Sequence, residues 1–419
     1  MSIYTNYHYN INQQGTKTYN NNNNYYNNQV YSYNNNKTTS PSYDTKYYNQ
    51  NISKSTIALP YSYTTNYNKP QRQYTEDEFS SILHQSKIGL QNTYYSCYIN
   101  TILQLLIHTP LFTKLFYKEL QSFPSKTPLI SKLYTILQQI ISSSTETKSI
   151  SPSQLTQYFQ NKHKEYSHGT EQDSQEFCRV FLADLSEELN KVNKRSKYIE
   201  LDFDNLTKDK AYKKYVDYCK STEDNIILDI FYGHIINILR CQCGYQSYSF
   251  ENIMDIPLLF TNHDNNNVNI NDMLDLYFED SNVEWGVKCT KCKSKRSHVK
   301  VTKFYKLPEV MILSLQRINQ RRRQKNNSIV NFNDTIDMRK YVDVDSSWKK
   351  ESTYQLYGVA YHKGDIDFGH YYARILVNEK WVEFNDSRVY VSGDIRKDRE
   401  YVYLLFYRKV KNDKYSYFN

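Results

Sequence analysis

Glycine is scarce in this sequence, at 10 of 419 residues, and proline scarcer still at 9. That excludes a collagen-like chain or one rich in Gly and Pro throughout. Long apolar runs are also missing. The run near positions 102–107 is interrupted by Gln104, and none approaches the ~18 residues a membrane-spanning helix needs, so no membrane partner is expected. The first residues, Met-Ser-Ile-Tyr-Thr-Asn, offer neither a basic start nor an apolar stretch, so no standard secretory signal is expected. Neither sign of charge dominates. The 53 Lys and Arg against 44 Asp and Glu leave +9, too mild for a nucleic-acid protein, and no RNA-binding motif is visible. The seven cysteines read as thiols or metal ligands of a reducing compartment, cytoplasmic and/or nuclear, rather than as disulfides.

What is abundant is tyrosine, at 43 residues, against a mean hydropathy of −0.78. Much of that polarity sits in residues 1–75, which are dominated by Asn, Tyr, Thr, Ser and Gln. Positions 20–24 and 34–36 are unbroken Asn runs, and Lys17, Lys37, Lys46, Lys54 and Lys69 outnumber the single Asp44. Aliphatic residues are too few there to offset the entropy of ordering, so a disordered tail of prion-like composition is predicted. Residues 76–84 read as a linker, 85–409 as the folded domain and 410–419 as a short C-terminal tail.

Within the domain, Ile99, Ile102, Leu103 and Leu106 have helical spacing, closed by Pro110, and further helices are predicted over 129–141, 153–158 and 173–190. From Ile226 onward the texture becomes strand-like, over 235–239, 299–304, 310–315, 354–361, 371–377, 380–384 and 401–407. A helical first half and a strand-rich second half make an α+β protein.

Two segments carry chemistry. In Gly89-Leu90-Gln91-Asn92-Thr93-Tyr94-Tyr95-Ser96-Cys97-Tyr98-Ile99-Asn100, Cys97 stands where a polar loop becomes a helix. Amides and the macrodipole at a helix N-terminus favour a thiolate, so a lowered pKa is expected. Asn92 can aim its amide at an oxyanion formed beside the sulfur. Far downstream, Gly369-His370-Tyr371-Tyr372-Ala373 is followed by Trp381-Val382-Glu383-Phe384-Asn385-Asp386-Ser387. His370 opens a strand after a glycine that lets an extended peptide pass close by, and Asn385 or Asp386 on the next arm can bond its ring. Thiol, imidazole and an orienting carboxamide or carboxylate are the set a thiol protease needs. His362 lacks both the glycine and the partner and reads as structural.

These segments resemble the Cys and His boxes of the ubiquitin-specific proteases, a papain-like deubiquitinase family. Gly89, Leu90, Asn92, Cys97, Tyr98 and Asn100 match the first. Gly369, His370, Tyr371, Ala373, Trp381, Phe384, Asn385, Asp386 and Ser387 match the second. Between them, Glu171-Gln172-Asp173-Ser174-Gln175-Glu176-Phe177 looks like a third box, and Leu307-Pro308-Glu309-Val310 and Leu315-Gln316-Arg317 fall in order. The resemblance implies a helical thumb, a β-rich palm and β fingers, and a thiol-dependent hydrolase acting after the C-terminal Gly of ubiquitin on ubiquitinated proteins, monomeric and without a catalytic cofactor. It implies Cys97 as nucleophile, His370 as base, Asn385 as the third member with Asp386 assisting, and Asn92 at the oxyanion. It places Asp173 and Glu176 against the substrate's basic tail and counts Gly369 and Tyr371 among the substrate-binding residues. Tyr94 and Tyr95 depart from the pattern, which has Gly at the first position. They favour the alternative, a weak or inactive ubiquitin-binding scaffold of the same fold.

Cys241-Gln242-Cys243 and Cys289-Thr290-Lys291-Cys292 form two pairs suited to a structural zinc, the first one residue short of the usual C-x₂-C. The resemblance puts such pairs at the tips of the fingers. Cys178 and Cys219 read as plain thiols, and Arg321-Arg322-Arg323-Gln324-Lys325 as a solvated basic loop.

Overall fold

The computed structural model describes residues 74–410 apart from 94, 123–126, 167–170, 194–196, 262–266, 284–286, 296, 320, 322 and 367. Nearly all of the predicted tail, Tyr94, Arg322 and the last nine residues therefore lie outside the described residues.

The helices α1 (Glu76–Gln85), α2 (Cys97–Ile107), α3 (Pro110–Ser122), α4 (Pro128–Ile141), α5 (Ser153–Lys162) and α6 (Ser174–Glu188) build the thumb. Residues 76–84 are thus not a linker. Thr75 accepts from the Glu78 amide while the Glu78 side chain returns to the Thr75 amide, a capping box that starts α1. Phe79 and Leu83 then bury completely in the thumb core. Pro110 does not close α2. That helix has already ended at Ile107, and Pro110 opens α3, where its missing N–H costs nothing. Every residue of α2 is buried, which marks it as the central helix of the domain.

The short strands β1 (Gly89–Leu90) and β2 (Ser149–Ile150) pair in parallel beside the Cys box. Helix α7 (Lys208–Thr222) comes next, followed by α8 (Ile226–Phe231), which stands where the sequence pattern suggested strands from 226. The fingers then begin with β3 (Gly233–Cys241) and β4 (Gln246–Ile253). After β5 (Asp255–Leu258) come β6 (Asn267–Asn269), α9 (Ile270–Tyr277), β7 (Ser281–Val283), β8 (His298–Lys306) and β9 (Val310–Leu315). The remaining strands are β10 (Ile318–Asn319), β11 (Gln324–Lys325), β12 (Ile329–Asn331), β13 (Thr335–Asp337), β14 (Thr353–Gly364), β15 (Gly369–Val377), β16 (Lys380–Asn385), β17 (Arg388–Val391) and β18 (Val402–Lys409).

The fingers are a four-stranded sheet in the order β4-β3-β8-β7, with Ala211 and Tyr215 of α7 packed on Ile236 and Ile238. The palm sheet runs β17-β16-β15-β14-β18-β9-β5, and β13 pairs with β14. Thumb residues including Ile102, Leu106 and Phe177 cover one side of it. A second cluster, from Ile256 to Tyr407, fills the other. With both faces covered, β9 reads as an unbroken apolar run and is buried throughout. Among the described residues no helix is long and apolar enough to cross a membrane.

His84, His108 and His362 are buried in this framework, and His234 is half-buried. Burial is the main cause that pushes His84 down to about 4, and His234 and His362 down to about 3. The unfolded chain therefore takes up protons below its ordinary value of about 6.5 while the folded chain does not. Stability that is complete above that value should be lost as pH falls toward 4, at up to about 1.4 kcal/mol per pH unit for each histidine. Thermal denaturation should show a melting temperature that declines steadily from pH 7 to pH 5. A flat profile there would contradict neutral buried histidines.

Candidate active site and cysteine cluster

The Cys box and the His box meet between thumb and palm. Gly89 lies so close to the chain after β16 that an added Cβ would stand 2.7 Å from the carbonyl oxygens of Asp386 and Ser387, so only glycine passes. The Leu90 amide donates to the Asp386 carbonyl at 3.0 Å. Asp386 itself has a left-handed backbone, φ 53°, which Asp tolerates better than most residues.

The Asp386 carboxylate binds both sides of the cleft. Asn92 Nδ2 donates to Oδ2 at 2.9 Å and the buried Asn100 Nδ2 to Oδ1 at 2.8 Å, with His370 Nε2 3.9 Å from Oδ2. Asn92 Oδ1 in turn accepts from the Ser96 amide at 2.9 Å, covering one of the unpaired donors at the start of α2. Both ends of the Asn92 carboxamide are thus fixed, and one amide proton is already committed to Asp386. The left-handed residue of this loop is Tyr95, φ 60°, which points out into solvent.

Cys97 is the first residue of α2 and is 2% exposed. The Tyr371 amide, next to His370, donates to its sulfur. The lowered thiol pKa expected from the helix terminus does not hold. Burial pushes the thiol up to about 12, helped by the Asp386 and Glu171 carboxylates, and this outweighs the lowering by the Tyr371 and Tyr98 amides. The free protein therefore holds a protonated thiol.

His370 Nε2 lies 2.8 Å from Asn385 Oδ1. A carboxamide oxygen only accepts, so Nε2 carries the proton. Gly369 is needed for contact: a Cβ there would fall 2.0 Å from His362 Nε2. His362 is buried and stacks on Tyr371 at 4.3 Å, a packing role under the strand that bears His370. The Gly369 amide also donates to the Glu171 carboxylate, a tie between the helical box and the His box that sequence reading missed.

The proposed substrate contacts divide. Glu176 is exposed as a residue, while partial desolvation of its carboxyl, with Asp173 and Glu165 nearby, raises its pKa. Asp173 is the N-cap of α6, accepting from the Gln175 and Glu176 amides and from the Tyr403 hydroxyl, so its carboxylate is engaged within the fold. The Tyr371 ring is buried, and its amide is what reaches the site. In the basic loop, Lys325 is not simply solvated: its Nζ donates to the carbonyls of His362 at 2.8 Å and Gly364 at 2.6 Å, bracing the end of β14.

At the tips of the fingers, the Sγ atoms of Cys241, Cys243, Cys289 and Cys292 all lie within 4.8 Å of one another. The 3.8 Å separation of Cys241 from Cys292 and the 3.7 Å of Cys243 from Cys289 match the edge of a tetrahedron of Zn–S bonds about 2.3 Å long. The one-residue-short first pair is accommodated by a turn through Gly244 at φ 82°. Ser294 hydrogen-bonds Cys292 and is the main cause holding its thiol down to about 6. The four residues fit structural zinc, which would pin the β3–β4 hairpin to the 289–294 turn. Cys97, Cys178 and Cys219 are free thiols elsewhere. Metal analysis should give one zinc per chain, and chelation should lower the melting temperature by at least about 5 °C. A content below about 0.2 zinc per chain in protein never exposed to chelator would contradict the site.

The family model of the ubiquitin carboxyl-terminal hydrolases matches residues 88–407. This chain belongs to that family. It is 29% identical over 349 residues to the Bos taurus ubiquitin carboxyl-terminal hydrolase 2, covering 79% of this chain and 56% of that protein. It is 28% identical to the Gallus gallus protein of the same name, covering 78% and 95%. The chain thus spans about half the length of the bovine relative and nearly all of the chicken one. Among solved structures, the SAGA Ubp8/Sgf11/Sus1/Sgf73 DUB module bound to ubiquitin aldehyde aligns with a TM-score of 0.62 at 20% identity, over 79% of this chain and 71% of that one. The same module bound to monoubiquitin gives 0.61, also at 20%, over 78% and 70%. The fold is the thumb, palm and fingers of the ubiquitin-specific proteases.

Proposed function

We propose that this protein is an active thiol deubiquitinase that cleaves the peptide or isopeptide bond after the C-terminal glycine of ubiquitin. The observation that carries the reading is the junction at Asp386, where one carboxylate holds Asn92 and Asn100 of the Cys box beside His370 and Asn385 of the His box. Cys97 is the nucleophile. With the thiol protonated at rest, His370 must take its proton as attack proceeds. The proton on Nε2 leaves Nδ1 as the basic atom for that step. Asn92 and the amides at the start of α2 hold the oxyanion. His370 then protonates the leaving lysine amine, and water releases ubiquitin from the thioester. Glu176, exposed beside the engaged Asp173, meets the basic tail of ubiquitin. The protein acts as a monomer in the cytoplasm or nucleus.

The scaffold alternative rests on the departure at Tyr94 and Tyr95. Tyr95 points away into solvent, which favours turnover. Steady-state hydrolysis of a ubiquitin C-terminal fluorogenic amide decides between them. The reading predicts saturable turnover with kcat of at least about 0.1 s⁻¹, within two decades of a median enzyme. Tight ubiquitin binding with no turnover would establish the scaffold.

A further inference from the structure

An Asn in the third position leaves a problem that Asp does not. A carboxamide can present oxygen or NH₂ to the imidazole, and only the first leaves Nδ1 free to accept the thiol proton. The register of β15, β16 and β17 supplies an answer. Arg374 pairs across from Glu383, which pairs across from Tyr390. Strand alternation places His370 and Arg374 on one face of β15, with Glu383 and Asn385 on the same face of β16. Glu383 is 4% exposed. Its Oε2 accepts from Arg374 Nε at 3.0 Å, and its Oε1 accepts from the Tyr390 hydroxyl and, at 3.4 Å, from Asn385 Nδ2. Arg374 is itself held by Asp398 and by the faces of Tyr361 and Tyr372, at 4.9 and 5.6 Å.

We propose that Glu383 is a positioning residue that sets the His370 tautomer through Asn385. An ionised carboxylate can only accept hydrogen bonds, so it admits the NH₂ end of Asn385 and rejects the oxygen. The oxygen must then face His370, Nε2 must carry the proton, and Nδ1 is left as the base. Arg374 Nε holds the other oxygen of the buried Glu383 carboxylate at 3.0 Å, which leaves Oε1 to meet Asn385. Glu383 touches neither nucleophile nor substrate. The proposal extends the hydrolase reading and rests on the same triad.

The test is a pair of comparisons with the full chain. Glu383→Gln keeps shape but can meet Asn385 with either end of its own carboxamide, so orientation is no longer enforced. It should lower kcat/KM for the ubiquitin C-terminal amide about tenfold, the scale of one hydrogen bond to a charged group, mostly in kcat. In an Asn385→Asp background the sign should reverse. Two carboxylates then face each other where a carboxamide and a carboxylate did, so Glu383→Gln should raise kcat/KM. A purely structural role for Glu383 predicts a loss in both backgrounds, and that result would overturn the proposal. Should Glu383→Gln not fold, Glu383→Asp, which withdraws the charge by one methylene, serves in both comparisons with the same signs expected. A second readout needs no turnover. The ¹⁵N spectrum of the His370 ring, assigned by its loss in His370→Ala, should report a single Nε2–H form in the parent protein and a mixture with Nδ1–H in Glu383→Gln. A mixture already present in the parent would overturn the proposal. A parent protein with the single form but no hydrolysis would instead sink the hydrolase reading and leave the positioning role standing.

Discussion

Cys97→Ala is expected to lower kcat/KM for a ubiquitin C-terminal amide by at least about 10⁴-fold, since no covalent route remains. Binding of ubiquitin itself should change less than about threefold, because the sulfur is buried at the floor of the cleft and its loss removes only one atom from that surface. The buried thiol sharpens the expectation. Its pKa is up at about 12, so the thiolate forms only when His370 accepts the proton, and no other residue supplies a nucleophile at that point. Kinetics together with titration calorimetry on the variant checks both halves. Turnover above a trace would remove Cys97 from the mechanism, and lost binding would mean that the substitution had disturbed the cleft.

The second large effect is expected at Asp386. Asp386→Ala removes the acceptor of two amides, one on Asn92 and one on the buried Asn100. Asn92 is then free to rotate away from the oxyanion, and kcat should fall about 10²–10³-fold, the measured scale for one oxyanion donor, with KM changing little. Removing the charge also makes Cys97 easier to ionise, because Asp386 is one of the groups that raise its pKa. Burial is the larger cause and persists, so this gain does not offset the loss. Asn100 loses its 2.8 Å bond to the carboxylate and keeps only the Leu90 and Gln91 carbonyls at 3.3 Å, which should further cost about 1–3 kcal/mol of stability. An unchanged kcat would show that Asn92 keeps its place without Asp386 or that it does not serve the oxyanion.

Much of this site is legible in the sequence, because boxes of defined residues at a strand start or a helix start carry their geometry with them. His370 after Gly369 and Asn385 on the next arm needed only the hairpin β15–β16 to bring them together, and Cys97 at a loop-to-helix junction needed the packing of the thumb on the palm. The cysteine pairs were legible for the same reason: two short turns are enough to gather four sulfurs. The pKa of Cys97 was not legible, because burial is a property of the packed fold and the helix terminus is visible locally. The second duty of Asp173 was hidden in the same way: it precedes α6 by one residue and caps it, with Tyr403 arriving from the far end of the chain.

The missed helices have physical causes too. The buried face of α7 rests on Ala211 and Tyr215 in an otherwise Lys- and Asp-rich segment, so hydrophobic periodicity is weak. Six residues of α8, Ile-Ile-Leu-Asp-Ile-Phe, are as apolar as a strand, and only the Asn225 cap, accepting from the Ile227 and Leu228 amides, marks the helix. The start of α1 was readable from Thr75 and Glu78, whose spacing is that of a capping box. Glu383 lies within a matched box, and nothing in the sequence alone marks it as functional. Its meaning depends on Arg374 standing across the ladder, and register is set by tertiary structure.

The central claim is that Cys97, His370 and Asn385 form a working hydrolase site for the ubiquitin C-terminus. Reaction of the full chain with ubiquitin bearing a C-terminal electrophile, followed by intact mass and peptide mapping, tests it most directly. The account predicts one ubiquitin per chain, attached at Cys97, with no adduct on Cys97→Ala. No adduct on the parent protein, or an adduct that persists at another cysteine when Cys97 is replaced, would contradict it.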